Sequence, residues 1–136
     1  MSWPAAPVPC PCGSGAAYDA CCGPLHRGER QARTPEELMR SRYAAYALDL
    51  TDYVFRTWHP RTRPDDVTPA PGLTWERLEI VEAETDPGAE VGVVEFRAHH
   101  RAGGAVGVMH ERSRFERRAG RWVYVGGDLL DPGAGG

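Results

Sequence analysis

The chain contains no lysine: all 16 of its basic side chains are arginine. That excludes Schiff-base chemistry, a lysine general base and a phosphate loop of the lysine type. Asparagine is also missing, and no cysteine occurs beyond residue 22. No run approaches the roughly 18 apolar residues of a membrane span. Met1-Ser2-Trp3-Pro4 lacks the basic and apolar regions of a secretory signal. Neither sign of charge gathers into a block, since 16 basic and 19 acidic residues leave a net charge of −3. Nucleic-acid binding through the phosphate backbone is therefore disfavoured. Together these absences point to a cytoplasmic chain. Its 136 residues, 41% of them hydrophobic, suffice for one core of roughly 100 residues and a short appendage.

What is present is concentrated at the start. Cys10-Pro11-Cys12 and Cys21-Cys22 are separated by eight residues that include Gly13, Ser14 and Gly15. Four thiolates at such short range suit one tetrahedral zinc with bonds of about 2.3 Å. Cys21 and Cys22 cannot easily pair with each other, because adjacent Cα atoms lie about 3.8 Å apart, below the disulfide range. Cross-pairs between the two groups are the alternative, disfavoured in a reducing compartment. His26 is a second candidate for the fourth ligand position, set against a surface or supporting histidine, since four thiolates already close the tetrahedron. A closed shell leaves no position for a reactive water, so the zinc is expected to be structural. Because the knuckle has almost no apolar residues, it should unfold without metal while the rest of the chain survives.

Residues 1–9 are Pro- and Ala-rich and read as extended, and the knuckle completes a first unit over 1–27. Thr34-Pro35-Glu36-Glu37 then signals a helix start: Thr34 as N-cap, Pro35 at the first position, Glu37 closing a capping box. Met39, Tyr43, Tyr46 and Leu50 follow at helical spacing, giving one face for burial. A shorter helix runs from Asp52 as N-cap to Trp58, ending before Pro60. Past a Pro-rich loop the period becomes that of strands, over 73–85, 91–100, 105–116 and 121–130. Asp86-Pro87-Gly88, Ala102-Gly103-Gly104 and Ala119-Gly120 punctuate them as hairpins. The pattern is α+β: a curved antiparallel sheet wrapped around helices over 28–131, with a flexible tail at 132–136.

Cys10-Pro11-Cys12-Gly13-Ser14-Gly15, with Tyr18, Cys21, Cys22 and Gly23, resembles the SEC-C zinc motif. Met39-Arg40-Ser41-Arg42-Tyr43, Thr57-Trp58-His59-Pro60, Glu111-Arg112-Ser113-Arg114-Phe115 and Trp122-Val123-Tyr124 extend the likeness. They resemble signatures of the bacterial YchJ-like proteins. The resemblance implies a cone-shaped, nuclear-transport-factor-2-like domain behind a zinc knuckle formed by Cys10, Cys12, Cys21 and Cys22. It also implies a protein partner contacted through that knuckle. Several members carry a second, C-terminal knuckle, which this sequence lacks.

A cone of this kind offers a cavity, and its candidate lining residues are Arg42, Tyr43, Trp58 and Ser113. His59 and Glu111 are the candidate acid–base pair for proton transfer or dehydration. The competing reading pairs Arg42 with Glu111 as an ion pair and uses His59 as a helix cap. Strand alternation sets Glu111 and Ser113 on one face and His110, Arg112 and Arg114 on the other, against a Ser–His–acid triad. His99 and His100 likewise split across two faces, and Arg117-Arg118 reads as a solvated turn. Three functions remain open: an accessory or adaptor protein, a small ligand-binding protein or enzyme, and a thiol redox protein needing an exposed reactive thiolate.

Overall fold

The computed structural model of the chain describes residues 8–67, 72–84 and 88–130. The expectations for 1–7, for most of the Asp86-Pro87-Gly88 turn and for the C-terminal tail lie outside the described residues. A 3-10 turn, Tyr18–Ala20, and a short helix α1, Cys22–His26, complete the knuckle. Helices α2, Pro35–Ala47, and α3, Thr51–Arg56, precede strands β1, Leu73–Glu84, β2, Val91–Ala102, β3, Ala105–Arg118, and β4, Arg121–Leu129. The strands form one antiparallel sheet in chain order.

Helix α2 starts where its capping signal places it. Thr34 Oγ1 accepts the Glu37 N–H at 3.0 Å, with Pro35 at the first position. The reciprocal half of the box is displaced by one residue: Glu37 accepts from the Arg33 N–H at 2.8 Å, and also from Arg30 Nη1 at 2.9 Å. Burial raises the Glu37 pKa, but those bonds outweigh it and hold the carboxylate below its ordinary range. Helix α3 is N-capped by Leu50 and takes in Asp52, which pairs with Arg56 at 2.8 Å. It ends at Arg56 because the next residues leave to bridge β4. The Tyr124 N–H donates to the Thr57 carbonyl and the His59 N–H to the Tyr124 carbonyl, both at 2.8 Å.

Contrary to the one-face expectation, α2 is buried on nearly every side. Leu38, Met39 and Tyr43 join Leu78, Val94, Phe96, Ala98, Phe115 and Trp122 in the main core. Ala44 faces the cysteines, and Ala45 packs with Leu25, Tyr53 and Val54. The helix thus sits between sheet, knuckle and α3, and periodicity toward one layer cannot reveal three. Val94, Phe96 and Ala98 alternate inward along β2 and are each at most 2% exposed; burying a residue the size of Phe96 contributes about 1.5–3 kcal/mol.

Irregular register in β1 and between β3 and β4 marks where the sheet bends. Strands β1, β2 and β4 all contact α2 as a result. Ala119 and Gly120 adopt φ of 53° and 79°, the left-handed pair that a two-residue hairpin turn requires. Arg117 and Arg118 end β3 rather than sit in that turn, and Arg117 lies over the Trp122 ring.

Candidate functional site

The knuckle brings all four cysteine Sγ atoms within 4.8 Å of one another. Cys12 and Cys21 are 3.6 Å apart, and Cys21 and Cys22 are 3.9 Å apart. A tetrahedron with bonds of about 2.3 Å has edges of about 3.8 Å, so the donor set fits a metal ion. All four are free thiols, and Cys10, Cys12 and Cys22 are buried. Hydrogen bonding with Cys22 holds the Cys12 thiol down at about 4, and the same interaction drives Cys22 upward. Burial pushes Cys10 up to about 11. Such a cluster cannot hold four thiolates without a cation to compensate them.

His26 is not a ligand but a brace. Its Nε2 lies 2.8 Å from the Ser41 carbonyl and its Nδ1 2.6 Å from the Tyr18 hydroxyl. A carbonyl only accepts, so Nε2 carries the hydrogen and Nδ1 accepts from Tyr18. Burial lowers the His26 pKa and favours this neutral form. Arg40 Nη1 donates to the Cys12 carbonyl at 3.0 Å, and Arg56 Nη2 to the His26 carbonyl at 2.8 Å. The knuckle is thereby bolted to α2 and α3.

On the opposite side of α2 lies a cavity of about 260 Å³. Met39, Arg42, Tyr43 and Tyr46 come from α2, Trp58 from the bridging segment, and seven further residues from all four strands. Of the sequence candidates, Arg42, Tyr43, Trp58 and Glu111 meet there. The Arg42 guanidinium lies 5.0 Å from the Trp58 ring centroid and 4.6 Å from that of Tyr124. Its Nη1 donates to the Val54 carbonyl at 2.9 Å and to Thr57 Oγ1 at 2.7 Å. Burial lowers its pKa, yet a guanidinium stays charged.

The expected Arg42–Glu111 ion pair is replaced by a different arrangement. Glu111 Oε2 accepts from the Tyr124 hydroxyl at 2.9 Å and from Ser113 Oγ. Ser113 is fully buried and supports Glu111 from behind instead of lining the cavity. Burial, followed by the Glu111 charge, raises the Tyr124 pKa. Gly127 makes the arrangement fit, because a Cβ there would stand 2.5 Å from Glu111 Oε2.

His59 does not join Glu111. The segment carrying Trp58 and His59 bridges β4 in extended form, so the two side chains point to opposite sides. Trp58 enters the cavity, while His59 Nε2 faces Glu116 at 3.5 Å and its Nδ1 accepts from the Arg61 N–H at 3.0 Å. It caps the turn beyond the helix rather than the helix end. His110 lies on the outer face against Glu95 at 2.8 Å. Sequence reasoning missed Tyr46, Trp75, Met109 and Tyr124 as lining residues. Two of these carried a signal: Tyr46 through its helical spacing with Met39 and Tyr43, and Tyr124 through the Trp122-Val123-Tyr124 signature.

No helix among the described residues is long and apolar enough to cross a membrane. The family model for the YchJ middle NTF2-like domain matches residues 34–127, and that for the SEC-C motif matches residues 8–24. A UPF0225 protein of Streptomyces coelicolor is 48% identical over 90% of this chain and 97% of its own length. One from Deinococcus radiodurans is 53% identical over 86% of each. The solution structure of a SEC-C motif containing protein from Rhodopseudomonas palustris superposes with a TM-score of 0.82. It is 42% identical and covers 90% of this chain and 98% of that one. With its cysteine knuckle and its curved sheet both matched, the chain belongs to the YchJ-like UPF0225 family.

Proposed function

We propose that this protein is a zinc-braced receptor for a small molecule, with one structural zinc per chain and the cone cavity as the binding site. The observation that carries the reading is the convergence of Arg42, Glu111, Tyr124 and Trp58 at one aromatic-walled cavity. Pockets that bind small molecules combine an apolar wall with a few placed polar groups in this way. The cavity is slightly smaller than the roughly 300 Å³ lower bound for drug-sized ligands, which suits a molecule of one ring system. Zinc is favoured by the four-thiolate donor set and by the fit of the sulfur separations to its bond length. Its closed shell and its ties to α2 and α3 suit a brace rather than a catalyst.

A fragment screen by NMR tests the cavity reading, with Met109→Trp as the control because Met109 lines the cavity while only half-buried. Fragments should bind wild type and lose affinity for the variant; hits unaffected by Met109→Trp would overturn the reading. Metal analysis of protein purified without chelator should find one zinc per chain.

The adaptor reading has one observation of its own: Val8 and residues 13–16 are exposed beside the cysteines. A protein partner docking there in the cytoplasm would be lost on substituting Val8 by Asp, and unchanged capture by that variant would sink it.

A further inference from the structure

The hairpin of β3 and β4 closes on a pair of like charges. Arg118 and Arg121 flank the Ala119-Gly120 turn and stand directly opposite each other in the ladder. Like charges in that position destabilise a hairpin, and the turn itself asks only for its two central residues. Among the described residues neither arginine has a carboxylate within ion-pairing distance. Glu116, two residues before Arg118 on the same face, is engaged elsewhere, by Arg61 at 3.4 Å and His59 at 3.5 Å.

The pair borders a second cavity, of about 220 Å³, whose walls also include Arg56, Trp58, Pro60, Arg63 and Val123 and no acidic side chain among the described residues. Arg121 and Val123 alternate to one face of β4, and Arg118 lies across from Arg121. Both guanidiniums therefore project on the side of the hairpin where Val123 lines the cavity. A third comes from the loop after α3: Arg63 is held with its guanidinium 3.7 Å from the Phe55 ring centroid and its Nη1 3.4 Å from the Phe55 carbonyl. It too lacks a carboxylate partner among the described residues. Arg56 differs, because Asp52 and the His26 carbonyl hold its head and leave its stem as wall.

We propose that this pocket binds the phosphate of a small phosphomonoester. Such a group carries about −1.5 to −2 charges near pH 7 and three acceptor oxygens, and guanidinium forks match phosphate oxygens bidentately. Arg63, Arg118 and Arg121 supply three forks at one concave site, and the anion offsets the repulsion across the turn. The organic part of the ligand rests on Trp58 and Pro60. A long polyanion fits less well, since these arginines gather at one pocket rather than along a track and the chain as a whole carries a net charge of −3. Trp58 is the one lining residue shared with the cone cavity, so the two sites can be tested apart.

Phenyl phosphate, its singly charged methyl diester and a short oligouridylate can be titrated into the metal-loaded, ¹⁵N-labelled full chain. Phenyl phosphate should move the amide signals of residues 118–123 and bind at least about tenfold more tightly than the diester, a difference of about 1.4 kcal/mol. Absence of shifts there, or equal affinity for the diester, would overturn the proposal. Oligouridylate binding more tightly than phenyl phosphate through the same signals would overturn it in favour of a nucleic acid. Arg118→Gln and Arg121→Gln should each weaken phenyl phosphate about tenfold, whereas Arg114→Gln, which removes the same charge from a residue paired with Asp128 at 3.2 Å, should leave it unchanged. Equal weakening by all three would reduce the site to general charge attraction and refute it. Because the pair repels itself, Arg118→Gln should keep or raise the thermal midpoint while losing affinity; a lowered midpoint with unchanged affinity would make Arg118 a residue of the fold and refute its role in binding.

Discussion

On one side of α2, Ala44 meets sulfurs drawn from the short stretch Cys10–Cys22. On the other, Arg42 and Tyr43 face a cavity whose remaining walls come from the bridging segment and all four strands. The first site is local and almost without apolar mass of its own, so on the proposed reading it rests on zinc and on the helix it leans against. The second is assembled by long-range pairing, and its charged groups, buried Arg42 and half-buried Glu111, are held by hydrogen bonds and aromatic rings. The difference teaches that one helix can serve a four-cysteine module and a packed core at once, with Ser41 and Arg42, adjacent in sequence, committed to opposite sides.

The sharpest way to break this contrast is to remove the proposed zinc. Structural zinc contributes an apparent 10–16 kcal/mol in small zinc peptides, so chelation or Cys12→Ser should abolish knuckle structure and lower the thermal midpoint strongly. Because Arg40, His26 and Arg56 tie the knuckle to the helices, amide signals over 38–46 should move as well. Changes confined to 8–26 would show the knuckle to be an independent module, as its composition alone suggests.

Phe96→Ala attacks the other side. It should cost about 3–5 kcal/mol in denaturant unfolding and leave the zinc stoichiometry at one; loss of metal in this variant would mean the two sites are not separable. A subtler change sharpens the contrast within the cavity. Gly127→Ala would force Glu111 off its seat, with a cost of about 1–3 kcal/mol and a perturbed Tyr124 ring, whereas an unchanged Tyr124 signal would contradict the close approach.

The smallest effect is a pH dependence at the brace. Burial places the folded His26 pKa below the ordinary 6.5, so the unfolded chain takes up the proton first as pH falls. Its contribution is fully present above about 6.5 and is lost as pH drops through the lowered folded value. Thermal midpoints compared between wild type and His26→Gln should converge as pH falls from 7.5 to below 6, and a gap that widened would reverse the assignment.

Much of the architecture was legible because its signals are local. Thr34-Pro35 marked the start of α2, and Ala119-Gly120 marked a hairpin, since capping and turn conformations depend on a few neighbouring residues. The end of α3 was misjudged because residues 57–59 are recruited by Tyr124, a partner far away in sequence. That same bridge decides that Trp58 turns inward and His59 outward, and it is why the expected His59–Glu111 pair does not form. Tyr46 was marked only as part of a helix face and Trp75 not at all, since the role of each depends on what the curved sheet places opposite it.

By itself, then, the sequence determined the cysteine cluster, the α+β order and the two faces of β3, because each rests on spacing within a single segment. Only the tertiary structure decided that α2 is covered on three sides, that Tyr124 and Ser113 rather than Arg42 hold Glu111, and that His26 braces rather than ligates. Those outcomes depend on which side chains meet across long loops, where register and bulges, not spacing, choose the partner.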